Sequence, residues 1–139
     1  ELITDPRIMI GLSDGGAHVD ALCDAGYCTY LLGHWVREKE VMTLERAIQR
    51  ITTEPANLFG ITQRGRIAEG LAADFAIFDL TTVGSDKTGE MRYDLPGGGR
   101  RLVVPSRGIE YTVVNGDILY AHGKDSGART GTVLRSGEA

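Results

Sequence analysis

Ser13-Asp14-Gly15-Gly16, with His18 four residues after the aspartate, is the stretch of this sequence best equipped for chemistry. Asp14 follows the apolar run Ile8-Met9-Ile10-Gly11-Leu12, and a carboxylate at the end of a buried strand can take a proton from one group and hand it to another. The two glycines behind it let the backbone turn sharply, so the carboxylate can face a site. Ser-Asp-Gly-Gly is also ordinary turn chemistry, and residue types alone favour a turn or N-cap for Asp14. Ser13 lacks a surrounding G-x-S-x-G elbow and fits a positioning group rather than a nucleophile. His18 can hydrogen-bond a ligand or Asp14, although a lone loop histidine more often sits at the surface or supports another group.

The remaining polar residues have simpler readings. His34 falls in a predicted helix and His122 after the last clear strand, so both are expected to be structural or exposed. Asp74 and Asp79 flank an apolar strand and suit turn and edge duties. Arg100-Arg101 reads as a solvated loop rather than a binding patch. Cys23 and Cys28 form an isolated C-x4-C, read as reduced, half-buried thiols.

These residues need elements to hold them. Arg7 to Leu12, apolar without alternation, predicts a strand buried on both faces, as in a parallel sheet or barrel wall. Such a strand needs neighbours on both edges. Tyr27, Leu31, Trp35 and Val36 recur at helical spacing, so a helix is expected over roughly Ala25 to Glu38. Thr43 is a plausible N-cap for a second helix whose stripe is Leu44, Ala47, Ile48 and Ile51. A short third helix is expected from Glu54 to Phe59, with Pro55 in its first turn and Gly60 as its stop. From Gly65 the pattern turns to strands, at Leu71 to Leu80 and at Ile109 to Val114. Asn115-Gly116 between IEYTVV and DILYA is the clearest hairpin signal, because both residues tolerate positive φ. Thr82 to Ser106 reads as a long exposed excursion, and Gly123 to Ala139 as a polar, partly extended tail. The division near Ile61 to Gly65 gives two units, 1–62 with a strand and helices and 63–139 rich in β structure.

The 139 residues suffice for one modest core and are too few for a large enzyme fold. The formal charge of -4, from 15 basic and 19 acidic residues scattered without a run of one sign, gives no footprint for nucleic acid or an anionic membrane. No apolar stretch approaches the ~20 residues of a membrane-spanning helix, and no signal peptide opens the chain, so a soluble, cytoplasmic protein is expected.

The ordered set Ser13-Asp14-Gly15, Thr53-Glu54-Pro55-Ala56, Phe59-Gly60-Ile61, Arg64-Gly65-Arg66-Ile67, Gly70-Leu71-Ala72-Ala73-Asp74 and Val114-Asn115-Gly116 resembles the end of the metal-dependent amidohydrolases. Each piece alone is weak evidence; their order is strong. His18 after the aspartate, Gly108-Ile109-Glu110-Tyr111 and the closing Ser126-Gly127-Ala128-Arg129 resemble the N-acyl-D-amino-acid deacylase branch in particular. There are departures: that branch usually carries a proline-rich His-Pro-Arg stretch after the aspartate, where this chain has VDALCDAGYCTY over Val19 to Tyr30. Gly97-Gly98-Gly99-Arg100-Arg101 also lengthens the excursion.

The resemblance implies an α/β plus β fold. Residues 1–62 would be the C-terminal end of a (β/α)8 TIM-type barrel, the last strand and its helices, and 63–139 part of a small β-sandwich. It implies zinc in the complete enzyme, Asp14 as proton shuttle and metal-side carboxylate, and Ser13, Gly15 and His18 near the substrate. No histidine precedes Asp14 and no His-x-His occurs, so the other metal ligands are not in this chain. Alone it should be inactive and metal-free. The expected substrate is an N-acylated D-amino acid, and the expected partners are the missing N-terminal portion of the same enzyme or further copies of the chain. A cyclic-amide hydrolase of the hydantoinase or dihydroorotase kind is an alternative, as is a non-catalytic assembly module that needs an N-terminal half.

Overall fold

A computed structural model of the protein describes residues 2–11, 18–21 and 25–135. Helices come first. Helix α1 (Tyr27–Tyr30) runs without a break into a π-helical stretch, Leu31–Glu38, so the helix expected there is present but wound more widely at its end. The Lys39 amide donates to the His34 carbonyl five residues back, at 3.0 Å. Helix α2 (Leu44–Ile51) opens on Thr43, whose Oγ1 accepts the Arg46 amide at 3.2 Å, as the capping signal predicts. Helix α3 (Thr53–Leu58) ends before Gly60, whose φ of 68° only glycine adopts without strain.

Eight short strands follow among the described residues: β1 (Phe75–Phe78), β2 (Gly84–Ser85), β3 (Glu90–Leu95), β4 (Gly99–Val103), β5 (Ser106–Arg107), β6 (Ile109–Val114), β7 (Asp117–Ala121) and β8 (Lys124–Asp125). They make an antiparallel four-stranded sheet in the order β1-β6-β7-β8 and two separate pairs, β2-β5 and β3-β4. Asn115 and Gly116, at φ 51° and 88°, turn β6 into β7 as the dipeptide requires.

Two expectations need correction. Residues 7–11 form no strand, because no neighbour among the described residues offers them a hydrogen-bonded edge, and Leu12 lies outside the described residues. The excursion after Thr82 is ordered. Ser85 pairs with Ser106 at its base, the Asp86 amide donates to the Pro105 carbonyl at 2.9 Å, and β3 and β4 rise from there as a hairpin. Pro96-Gly97-Gly98 forms its tip, with Gly97 and Gly98 at φ 71° and 73°. Arg100 and Arg101 accordingly lie on a strand, and both are paired.

The core is small and lies between the helices and the start of the β-rich half. Leu31, Leu32 and Val36 meet Ala47 of α2 and Val83, with Trp35, Ile48, Phe78 and Ile109 packed around them. Burying a leucine such as Leu31 contributes about 1.5–3 kcal/mol. Gly33 makes the approach possible, since a Cβ there would sit 2.5 Å from the Val83 carbonyl oxygen. Arg37 fixes the junction by donating Nη1–H bonds to the carbonyls of Val83 and, at 3.2 Å, Leu80. Arg50, 1% exposed, donates to the Asp5 carbonyl at 3.1 Å and so fastens the first residues to α2.

Candidate functional site

Ser13, Asp14 and Gly15 lie outside the described residues, so their expected roles carry forward from the motif alone. His18 is described. It is exposed, with φ 53°, and its carbonyl accepts the Ala21 amide at 2.8 Å, which makes 18–21 a tight turn directly after the signature. That turn is gripped from 80 residues away. Arg100 on β4 donates from Nη2 and Nε to Asp20 Oδ2 at 3.0 and 3.3 Å, and the Leu102 amide donates to the Val19 carbonyl at 2.6 Å. The Arg100 guanidinium, followed by a backbone hydrogen bond, holds the Asp20 carboxyl below its usual range. The lengthened excursion, which residue types leave without a role, is thus tied to the loop that follows Asp14.

A second constellation joins the motifs that are far apart in sequence. Arg64 pairs with Asp74 through Nη1 and donates from Nη2 to Asn115 Oδ1 at 2.7 Å, while the Asn115 amide donates to Asp74 Oδ1 at 2.8 Å. Asn115 Nδ2 reaches the Thr130 carbonyl at 2.6 Å, and Thr130 Oγ1 donates to the Val114 carbonyl at 2.9 Å. Thr53 Oγ1 donates to the Gly65 carbonyl at 2.6 Å, so α3, the Arg-Gly-Arg turn, β1, the β6–β7 turn and the tail meet at one clasp. Burial pushes the Asp74 pKa up, but the Asn115 amide and Arg64 outweigh it and the net shift is downward. Asp74 therefore does more than close a turn. Asp79 does fit turn duty, accepting the Thr81 amide at 2.8 Å.

The other histidines are placed as expected. His34 stacks on Tyr30 and pairs with Glu38 at 2.9 Å. His122 bridges Glu110, at 2.7 Å from Nδ1, and the Tyr111 hydroxyl, at 3.1 Å from Nε2, on the lip of an open groove of about 500 Å³. Its side chain is 61% exposed. Cys28 is a half-buried free thiol whose pKa is raised by burial, and Cys23 lies outside the described residues. No three His, Cys, Asp or Glu side chains come together to hold a metal among the described residues.

The clasp is built from the same motifs that carry the likeness to the amidohydrolases, and residues 1–120 match the amidohydrolase family: the chain belongs to it. Among its relatives, N-acyl-D-glutamate deacylase of Alcaligenes xylosoxydans xylosoxydans is 39% identical over 110 residues, 79% of this chain and 20% of that protein. The N-acyl-D-aspartate deacylase of the same organism is 32% identical over 114 residues, 82% of this chain and 21% of that one. A D-aminoacylase variant solved in complex with copper chloride superposes with a TM-score of 0.61 at 29% identity, covering 77% of this chain and 20% of the other. The chain thus spans about a fifth of the length of these relatives.

Proposed function

We propose that these residues form the C-terminal part of an amidohydrolase that cleaves the amide of N-acyl-D-amino acids, with Asp14 as its proton carrier. What supports this most is that residues 1–120, which contain the Ser13-Asp14-Gly15 signature and Arg64, Asp74 and Asn115 of the clasp, match the amidohydrolase family, and that 79% of the chain aligns with an N-acyl-D-glutamate deacylase. In this reading 1–62 complete the barrel, 63–139 belong to the β-sandwich, and Ser13, Gly15 and His18 border the substrate.

Water adds to the acyl carbon as Asp14 takes one of its protons. The C–N bond then breaks as that proton passes to the departing nitrogen, leaving a carboxylate and a free amino acid. The described residues do not make a metal site, so the zinc implied by the resemblance would be held by residues outside them. Assay of the intact enzyme tests the reading. Release of free D-amino acid from N-acetyl-D-glutamate or N-acetyl-D-aspartate is expected, and turnover only of hydantoins or dihydroorotate would overturn it.

The 139 residues on their own expose Leu58 and Phe59 at 65%, Ile67 at 84% and Val133 at 83%. In this reading the apolar segment 7–11, which has no hydrogen-bonded neighbour among the described residues, takes its cover from the rest of the enzyme or from further copies of the chain. The isolated chain is therefore expected to self-associate in sedimentation velocity; a well-folded monomer at high concentration would refute this.

A further inference from the structure

We propose that the groove between the Leu31–Glu38 stretch and the β2–β5 pair binds the phosphate group of a small molecule, held by Arg37, Arg107 and Lys87. The proposal does not depend on the reading of Asp14.

Two guanidinium groups converge there on bare backbone. Arg37 is fixed from the helical side, because its Nη1 donates to the carbonyls of Val83 and Leu80. Arg107 comes from the strand side: it stands opposite Gly84 in the β2–β5 pair, and residues directly opposite share a face of the sheet. A Cβ on Gly84 would lie 3.6 Å from Arg107 Nη2 and 3.9 Å from Arg37 Nη2, so the missing side chain leaves an opening that both groups border. Like charges gathered at one place repel, and an anion among them removes that cost.

The groove's own carboxylates are engaged elsewhere. Asp86 takes Arg107 through Nε at 2.9 Å, and Glu38 takes His34 Nδ1 at 2.9 Å. Glu38 stands 3.7 Å from Arg37 Nη2, beyond hydrogen-bond reach, so neither Nη2 has an acceptor among the described residues. Lys87 adds a third cation to the lining, and three cations facing two carboxylates leave positive charge over. These donors reach the groove from three segments of chain, which suits a tetrahedral anion better than a flat carboxylate. At about 520 Å³ the groove also has room for the molecule that carries the phosphate.

The test is a titration of the intact enzyme with inorganic phosphate at constant ionic strength, followed by phosphorus NMR. Each variant is read as a difference from the unaltered enzyme, so phosphate held elsewhere cancels. Because the groove is open to water, a Kd of about 1 mM is expected. Gly84→Ala is the sharpest variant, since its methyl meets nothing closer than 3.6 Å and leaves every charge in place, yet fills the opening. It should weaken binding about fivefold, Arg107→Ala about tenfold and Lys87→Ala about threefold. Arg129→Ala, which removes an exposed pair with Asp125 outside the groove, should change nothing. Acetate should displace the phosphate no better than chloride does. Absence of binding, or binding that is the same in folded Gly84→Ala and Arg107→Ala enzymes as in the unaltered one, would overturn the proposal, as would acetate that competes at the concentration of phosphate itself. Hydrolysis of N-acyl-D-amino acids plays no part in this readout, so its failure would bear on the earlier reading alone.

Discussion

Asp14→Asn in the intact enzyme is expected to lower kcat by about 10²- to 10⁴-fold, the usual contribution of a positioned general acid–base, with KM little changed. The substitution is chosen because it separates the two readings of the residue. Asparagine serves a turn or an N-cap as well as aspartate does, since its side-chain oxygen still accepts a backbone N–H. What it cannot do is take a proton from water and release it to nitrogen. A structural Asp14 would therefore survive the change with near-normal turnover, and a proton-carrying Asp14 would not. Turnover within about twofold of the unaltered enzyme, with folding intact, would return the residue to a turn role.

The second large effect is on stability. Arg64→Ala is expected to cost about 2–3 kcal/mol in urea unfolding, because two charge-assisted hydrogen bonds disappear and a largely covered Asp74 loses its counter-charge. The side chains of Arg64 and Asp74 are only 18% and 30% exposed, so solvent offers them little replacement. Arg64→Lys should recover only part, since an ammonium cannot reach Asp74 and Asn115 with the same fork. The pair also sets an acid dependence. Asp74 titrates in the folded protein below its ordinary value of 3.8, so its contribution is fully present above that value and fades as the pH falls through the lower, folded one. Asp74→Asn should thus flatten the acid limb of stability below about pH 4 while lowering stability at neutral pH. Loss of less than about 0.5 kcal/mol on Arg64→Ala would show that the clasp is ornamental.

Local rules were legible where one residue type decides one backbone feature. Thr43 capping α2 and Asn115-Gly116 turning β6 into β7 follow from their own chemistry and needed no partner at a distance. The hairpin at β3–β4 is hidden in the sequence for a different reason. Met91, Tyr93 and Leu95 alternate with Glu90, Arg92 and Asp94 and run into Pro96-Gly97-Gly98, a strand-and-turn signal, but the surrounding glycine and charge made the stretch read as loop. The strand expected at Arg7 to Leu12 depended on neighbours, and pattern alone cannot supply a hydrogen-bonded edge. The candidate site divides the same way. The Asp14 signature was visible as a motif, whereas Asp20–Arg100 and Arg64–Asp74–Asn115 span 80, 10 and 51 residues of chain and become neighbours only through the fold.

The neck at Ser85–Ser106 bears on how such a scaffold can diversify. With the chain pinched shut at that point, residues can be gained or lost beyond it at a closure cost that grows only with the logarithm of the added length. The strands and helices below need not move to accommodate the change. Chain length beyond the neck can therefore change in one place while the four-stranded sheet and the helical core keep their contacts.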